Sequence, residues 1–427
     1  MLFKLAFVLS VNKKYFIMKQ LISLSVSILC ISAIFTSCIQ NKTTRTFKIT
    51  RPVYKLKQEV YDNIQTQPAT SILSGGKMFL KGNYIFLTEK NKGVHIINNA
   101  NPSSPINESF IPIPGTEDVV VKGNILLADC FIDLLSIDIS NPSNIKLVNI
   151  AKNVFPERNT VNGFSIDSNS VIVEWITKDT TTTGEYYTKF MTANGVATLD
   201  NFGSSQSPSI TGVAGSMARF VIVNEYLYTV SSSTLRVFDI SNANSPIAKS
   251  SVQMGWNIET IYPLKDKLFI GSQTGMFIYS ISNPTNPTQL STFLHANMCD
   301  PVIAEDNYAY ITLRSGTNCQ GISNQLEIVD ITNITNPILK KTYPFTNPHG
   351  LSKDGKLLFI CDGVDGLKIL DATDINDLKT IKTISMAKTY DVIAYNKRAY
   401  VAAEDGVYQY DYSDENNIKL LSKISTK

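Results

Sequence analysis

One phrase recurs along this chain and limits what it can fold into. It reads LRVFDISNANSP at 235–246 and LEIVDITNITNP at 326–337. Weaker copies are VHIINNANPSSP at 94–105, LLSIDISNPSN at 134–144, MFIYSISNPTNP at 276–287, LKILDATDIND at 367–377 and VYQYDYSDENN at 407–417. With Asp239 as anchor, the equivalent positions are Asn98, Asp138, Ser280, Asp330, Asp371 and Asp411. Successive gaps are 40, 101, 41, 50, 41 and 40 residues. A fixed period means that each unit is one supersecondary element, burying its apolar face only against its neighbours. The gap of 101 predicts a degenerate copy inside it, FSIDSNSVIVEWITK at 164–178 followed by EYYTKFMTA at 185–193.

Each unit divides into four short strands. In the last one these are DVIAYN (391–396), RAYVAAE (398–404), GVYQYDYS (406–413) and IKLLSKIS (418–425). Asn-Lys and Glu-Asp-Gly mark tight turns, because Gly and Asn tolerate positive φ. The strands are rich in Val, Ile, Tyr and Phe, as in sheets covered on both faces. The Ser-Asn-Pro turn stops the third strand, since Pro offers no ladder donor and Asn and Ser bond locally. About 40 residues and four strands per unit predict an all-β protein, a β-propeller of four-stranded blades. Eight blades are expected, or seven if residues 155–215 are an insertion. The propeller is placed at 67–427.

The chain has 427 residues, 43% hydrophobic and 18% charged, a globular composition. Of its 39 Lys and Arg, four (Lys4, Lys13, Lys14, Lys19) lie in the first 37 residues, which hold no Asp or Glu; 35 basic and 36 acidic residues remain. That balance disfavours nucleic acid as a partner.

From Met18 the chain runs MKQLISLSVSILCISAIFTSC: one early basic residue, an apolar stretch Leu21–Phe35, small residues, then Cys38. This order predicts a secretory signal over 1–37, with Met18 as the true start. The apolar stretch is too short to span a bilayer, which takes roughly 20 residues. The Phe-Thr-Ser-Cys ending resembles the lipobox of bacterial lipoproteins, with Phe35 where Leu is usual. That resemblance implies lipidation of Cys38 and a polar tether over 38–66. A plain secretory signal with an incidental Cys is the alternative. The expected location is the bacterial outer membrane or cell surface, with the periplasmic side also open.

The LEIVDI and LRVFDI phrases with their Asn-Pro turns resemble the bacterial LVIVD repeat family, over about 70–425. CDPVIAEDNYAYITLRSGTNC at 299–319 and NPHGLSKDGKLLFICDGVDGLKIL at 347–370 extend the likeness. The resemblance implies secreted or surface lipoproteins with a propeller fold. It transfers no catalytic residues.

Cys299 and Cys319 bracket the first two strands of one unit, so a hairpin would bring them to one rim. In an oxidising compartment this favours a disulfide over two free thiols. Cys130 and Cys361 end second strands in non-adjacent units and read as small buried residues. Asp118, Glu259, Asp300, His349 and Asp391 fall where inner strands begin, at the channel rim. Second strands finish at the same end with Glu89, Asp129, Glu174, Arg314, Asp362 and Glu404. Such a carboxylate ring would suit a sugar or Ca²⁺, or would cap turns through backbone amides. No cofactor is otherwise implied.

His95, His295 and His349 lack HxxxH or CxxC spacing, which argues against a transition-metal site. Trp256, near the rim, reads either as a stacking surface for a sugar ring or as a plug between blades. No GxSxG or phosphate-binding glycine loop is present. The function expected is a lipid-anchored, non-catalytic surface binding or scaffold protein, with a glycan or envelope protein as partner. A glycan-active lyase or hydrolase using rim carboxylates is the alternative.

Overall fold

The computed structural model describes residues 45–161, 163–165, 169–182, 215–295, 301–315 and 323–426. The chain divides into two compact units, Met1–Arg51 with Thr177–Asn201, and Pro52–Ile176 with Phe202–Lys427. In the first, the described residues carry a threonine ladder: Thr46 and Thr50 meet Thr181 and Thr177 through their hydroxyls at 2.9 and 2.8 Å.

The second unit is a seven-bladed propeller. Each blade takes its four antiparallel strands from consecutive chain. The inner strands are Met78–Lys81, Val119–Lys122, Phe220–Val223, Ile258–Leu264, Val302–Glu305, Leu351–Asp354 and Thr389–Tyr395. Successive inner strands touch one another from the first blade to the seventh. The core lies between blades. Leu357, Phe359, Val392 and Val401 pack the sixth on the seventh; Met78, Ile85, Ile393 and Tyr400 close the seventh on the first.

Seven is the count expected if 155–215 is an insertion. The copy looked for at 164–178 is no blade: Phe164–Ser165 pairs only with Thr160–Val161, and Ser170–Thr182 pairs with Arg45–Leu56. The reason lies in the partner: Ser170–Thr182 runs for 13 residues, about twice the length of a blade strand, and its ladder is taken up by Arg45–Leu56 instead of a hairpin neighbour. The continuation at 185–193 lies outside the described residues. Just before the first blade, Lys57–Asp62 forms a helix and Gln67–Pro68 adds a fifth strand to that blade's outer edge.

The repeated phrase has one geometry in all seven blades. The anchor side chain accepts the amide two residues on: Asn98 from Ala100, Asp138 from Ser140, Asp239 from Ser241, Ser280 from Ser282, Asp330 from Thr332, Asp371 from Thr373 and Asp411 from Ser413. Three residues later Asn101, Asn141, Asn242, Asn283, Asn333, Asp374 and Asp414 repeat the bond. Two successive Asx turns (one begun by Ser280) thus stop the third strand and aim the fourth. These turns also receive bonds from the preceding blade. Ser291 Oγ donates to Ile334 O, Tyr343 OH to Ile375 O, Lys382 Nζ to Ile418 O and, across the ring closure, Ser422 Oγ to Pro102 O.

Candidate functional site: the loop face

The two ends of the propeller differ. One, the turn face, carries the seven copies of the double turn and the tight hairpins of the first two strands. The other, the loop face, is where inner strands begin and second strands finish. Its connections vary in length and sequence from blade to blade.

Several acids that the sequence places on this face are staples. Asp129, fully buried at the end of a second strand, accepts the amides of Glu117 and Asp118 and the Thr116 hydroxyl at 2.8, 3.0 and 3.1 Å, and pairs with Arg158. Asp362 does the same at the equivalent repeat position of the sixth blade. It accepts the amides of Thr346 and Asn347 and pairs with Lys368. Glu89 in the first blade takes the Leu73 amide, Lys92 and His95. Burial works against the Glu89 charge, but Lys92 and His95 overcome it and hold its carboxyl below the usual range. In each case an acid ending the second strand ties down the loop entering the inner strand of the same blade, with a cation as counter-charge. Glu174 and Glu404 are exposed and take no such role; Glu174 sits outside the blades.

A second set closes the channel. Asp118, 1% exposed, joins three blades: its carboxylate meets Lys77 Nζ at 3.1 Å and accepts the amides of Arg219 and Phe220 at 2.8 and 3.1 Å. Burial raises its carboxyl above the ordinary value, with Lys77 and these amides pulling back. Ser216 lies just ahead of the third blade, yet its hydroxyl accepts the Leu351 amide of the sixth at 2.9 Å and donates to Asp391 of the seventh at 3.4 Å. Only a position inside the ring reaches both. Gly215, Ser216, Met217 and Ala218 are all buried, so this short segment crosses the channel and plugs it. Asp391 is fully buried, with Oδ2 unbonded, and burial raises its carboxyl well above the usual range. Gly350 makes room for it: a Cβ there would stand 1.9 Å from Asp391 Oδ1.

His349 is buried in the loop face. It is 1% exposed, its Nε2 lies 2.8 Å from Asn347 Oδ1 and its ring stands edge-on to Tyr390. Burial, aided by Arg314 and Lys388, pushes its pKa down to about 2, so the ring stays neutral. Arg314 is 8% exposed, and Glu259 is its favourable charge partner. Glu259 itself accepts from Gln273 Nε2 at 3.0 Å, while its carbonyl accepts from Arg219 Nε. Trp256 is the opposite case: its indole is 81% exposed, so it plugs nothing between blades. Cys38, Cys299, Asp300 and Cys319 lie outside the described residues. Cys130 and Cys361 are free and buried, as read from their positions.

Sequence reasoning found the acids but not their partners. Lys77, Arg158, Ser216 and Arg219 sit in irregular segments where no period operates. Among the described residues, no three of His, Cys, Asp or Glu gather in a way that could hold a metal ion.

A ring of four-stranded blades with a plugged channel and one variable face defines a β-propeller, a class that hosts many unrelated activities. Within it, the model of the LVIVD repeat matches residues 76–110, 115–152, 214–254 and 298–344. These are the first, second, third and fifth blades; the other three share their geometry with weaker wording. Solved structures of similar fold include a protein from Lactobacillus plantarum (12% identity, 84% of this chain and 96% of that one, TM-score 0.51). A functionally unknown protein from Desulfotomaculum acetoxidans is similar too (10% identity, 80% and 95%, TM-score 0.51). BamB from Moraxella catarrhalis is a third (8% identity, 79% and 84%, TM-score 0.49). At these identities the likeness concerns fold alone. No curated protein matches the chain.

Proposed function

We propose that this chain is a non-catalytic binding or scaffold propeller of the bacterial envelope, tethered through lipid on Cys38, that holds its partner on the loop face. The observation that carries the reading is the division of labour between the faces. The turn face repeats one structural device seven times and is spent on joining blades. The loop face holds the variation. The rim acids Asp118, Asp129 and Asp362 are committed to backbone amides and cations, which favours a binding surface over a pair of catalytic carboxylates set across a cleft.

The test compares the two faces. Val364, 68% exposed in a turn of the loop face, and Ile338, 57% exposed where a fourth strand leaves the turn face, each tolerate a surface change. Purified protein is sedimented with an extracted envelope fraction. Val364→Arg should reduce binding and Ile338→Arg should leave it intact; equal effects of both, or turnover of envelope glycan, would overturn the reading. For the tether, Cys38→Ser should release the protein from membranes, and a variant that stays bound refutes lipidation. A Cys299–Cys319 bridge belongs to the same proposal, and intact mass should rise by two hydrogens on reduction.

A further inference from the structure

We infer that the loop face of the fourth blade is a carbohydrate subsite, with the Trp256 indole as its stacking platform; this deepens the binding reading above and rests on it. The first ground is how Trp256 is held. Met254 N donates to Ser233 O at 2.8 Å, Ile258 N to Ser232 O at 3.0 Å and Gln273 N to Asn257 O at 3.1 Å. The backbone is bonded on both sides of the tryptophan, to the third blade and to the fourth. Asn257 takes a left-handed φ of 59°, which Asn tolerates and which turns the chain sharply after Trp256. The indole is therefore exposed on a fixed backbone, with little ordering left to lose on binding.

The second ground is what surrounds it. Ser232, Ser233, Asn257, Gln273, Thr274 and Glu259 flank the turn, a set of hydroxyls, amides and one carboxylate. The other exposed apolar residue of this blade, Leu294, is 72% exposed but stands three strands out, through the register Ile258, Ser272, Gly275, Leu294. Three strand spacings are roughly 14 Å. Among the described residues the indole thus has no contiguous apolar field of the kind a protein interface uses. A lone exposed aromatic among short polar side chains suits a sugar ring, whose C–H face stacks while its hydroxyls find donors and acceptors around the edge.

The test uses the full chain with Trp175→Phe, which leaves Trp256 as sole indole; Trp175 packs edge-on to Phe164 and is conservatively replaced. Oligosaccharides of β-1,4-linked N-acetylglucosamine, of mannose and of β-glucan, and solubilised peptidoglycan, are titrated while Trp256 emission is followed. At least one should shift it saturably. Trp256→Ala should then weaken that saccharide roughly tenfold or more by calorimetry, with unchanged thermal stability, and Trp256→Phe should retain part of the affinity. No response from any saccharide, or binding unaltered in Trp256→Ala, would overturn the inference. If that happens while Val364→Arg still abolishes envelope binding, the broader reading stands and the carbohydrate subsite alone falls.

Discussion

At the scale of single residues, the charged groups of the loop face sort by what they hold. Asp129 satisfies three donors and neutralises Arg158, so Asp129→Ala frees those three donors and leaves the guanidinium only the longer pair with Glu117 at 3.9 Å. We expect a loss of about 3–5 kcal/mol, read by urea unfolding, with little loss for Trp256→Ala. Asp391 differs in sign. Its carboxyl is raised by burial, with Ser216, Lys77, Asp118 and Cys361 as the groups facing it. A raised carboxyl contributes stability that is present at low pH and is lost as pH climbs through its folded pKa. Asp391→Asn keeps the acceptor for Ser216 and removes that loss. Its melting temperature should therefore gain on the parent between pH 5 and pH 8; a gap that shrinks with pH would refute the assignment. Gly350→Ala should destabilise by at least about 1–3 kcal/mol, because the backbone must move away from Asp391.

At the scale of elements, the double turn was legible because each part acts within a few residues. Asx and Asn-Pro chemistry is local, and the third strand and its stop could be read from LRVFDIS alone. Asp239 shows the electrostatic signature: the Ser241 amide and hydroxyl and Lys249 hold its carboxyl down at about 2. Asp239→Ala should lower the melting temperature near neutral pH and Asp239→Asn much less, with the Asp–Asn difference vanishing only in strong acid. The rim acids were legible as positions but not as roles. The donors that Asp118 and Asp391 meet come from other blades 101 and 175 residues away, a pairing no period encodes. The eighth copy was over-read for a related reason. SVIVEWITK is a good strand by composition, but composition does not name its partner, and Ser170–Thr182 pairs with the distant Arg45–Leu56.

At the scale of the molecule, the ring closes without exchanging a strand between its ends. The seventh blade meets the first through buried apolar side chains, through Gln409 Nε2 donating to Asn99 Oδ1 at 2.7 Å, and through Ser422 on Pro102 O at 2.6 Å. The last bond repeats the Ser291 bond between the fourth and fifth blades, so Ser422→Ala and Ser291→Ala should each cost about 0.5–1.5 kcal/mol. A much larger cost at Ser422 would mean that closure relies on something special to that junction. With one face occupied by these joints and the channel filled by residues 215–218, the recognition we propose falls to the loop face. Hydrogen exchange with and without the envelope fraction tests this most directly. We predict protection concentrated at 254–258, 362–366, 385–389 and 404–406, with exchange of the seven double turns unchanged; protection centred on the double turns, or spread evenly over both faces, would contradict the account.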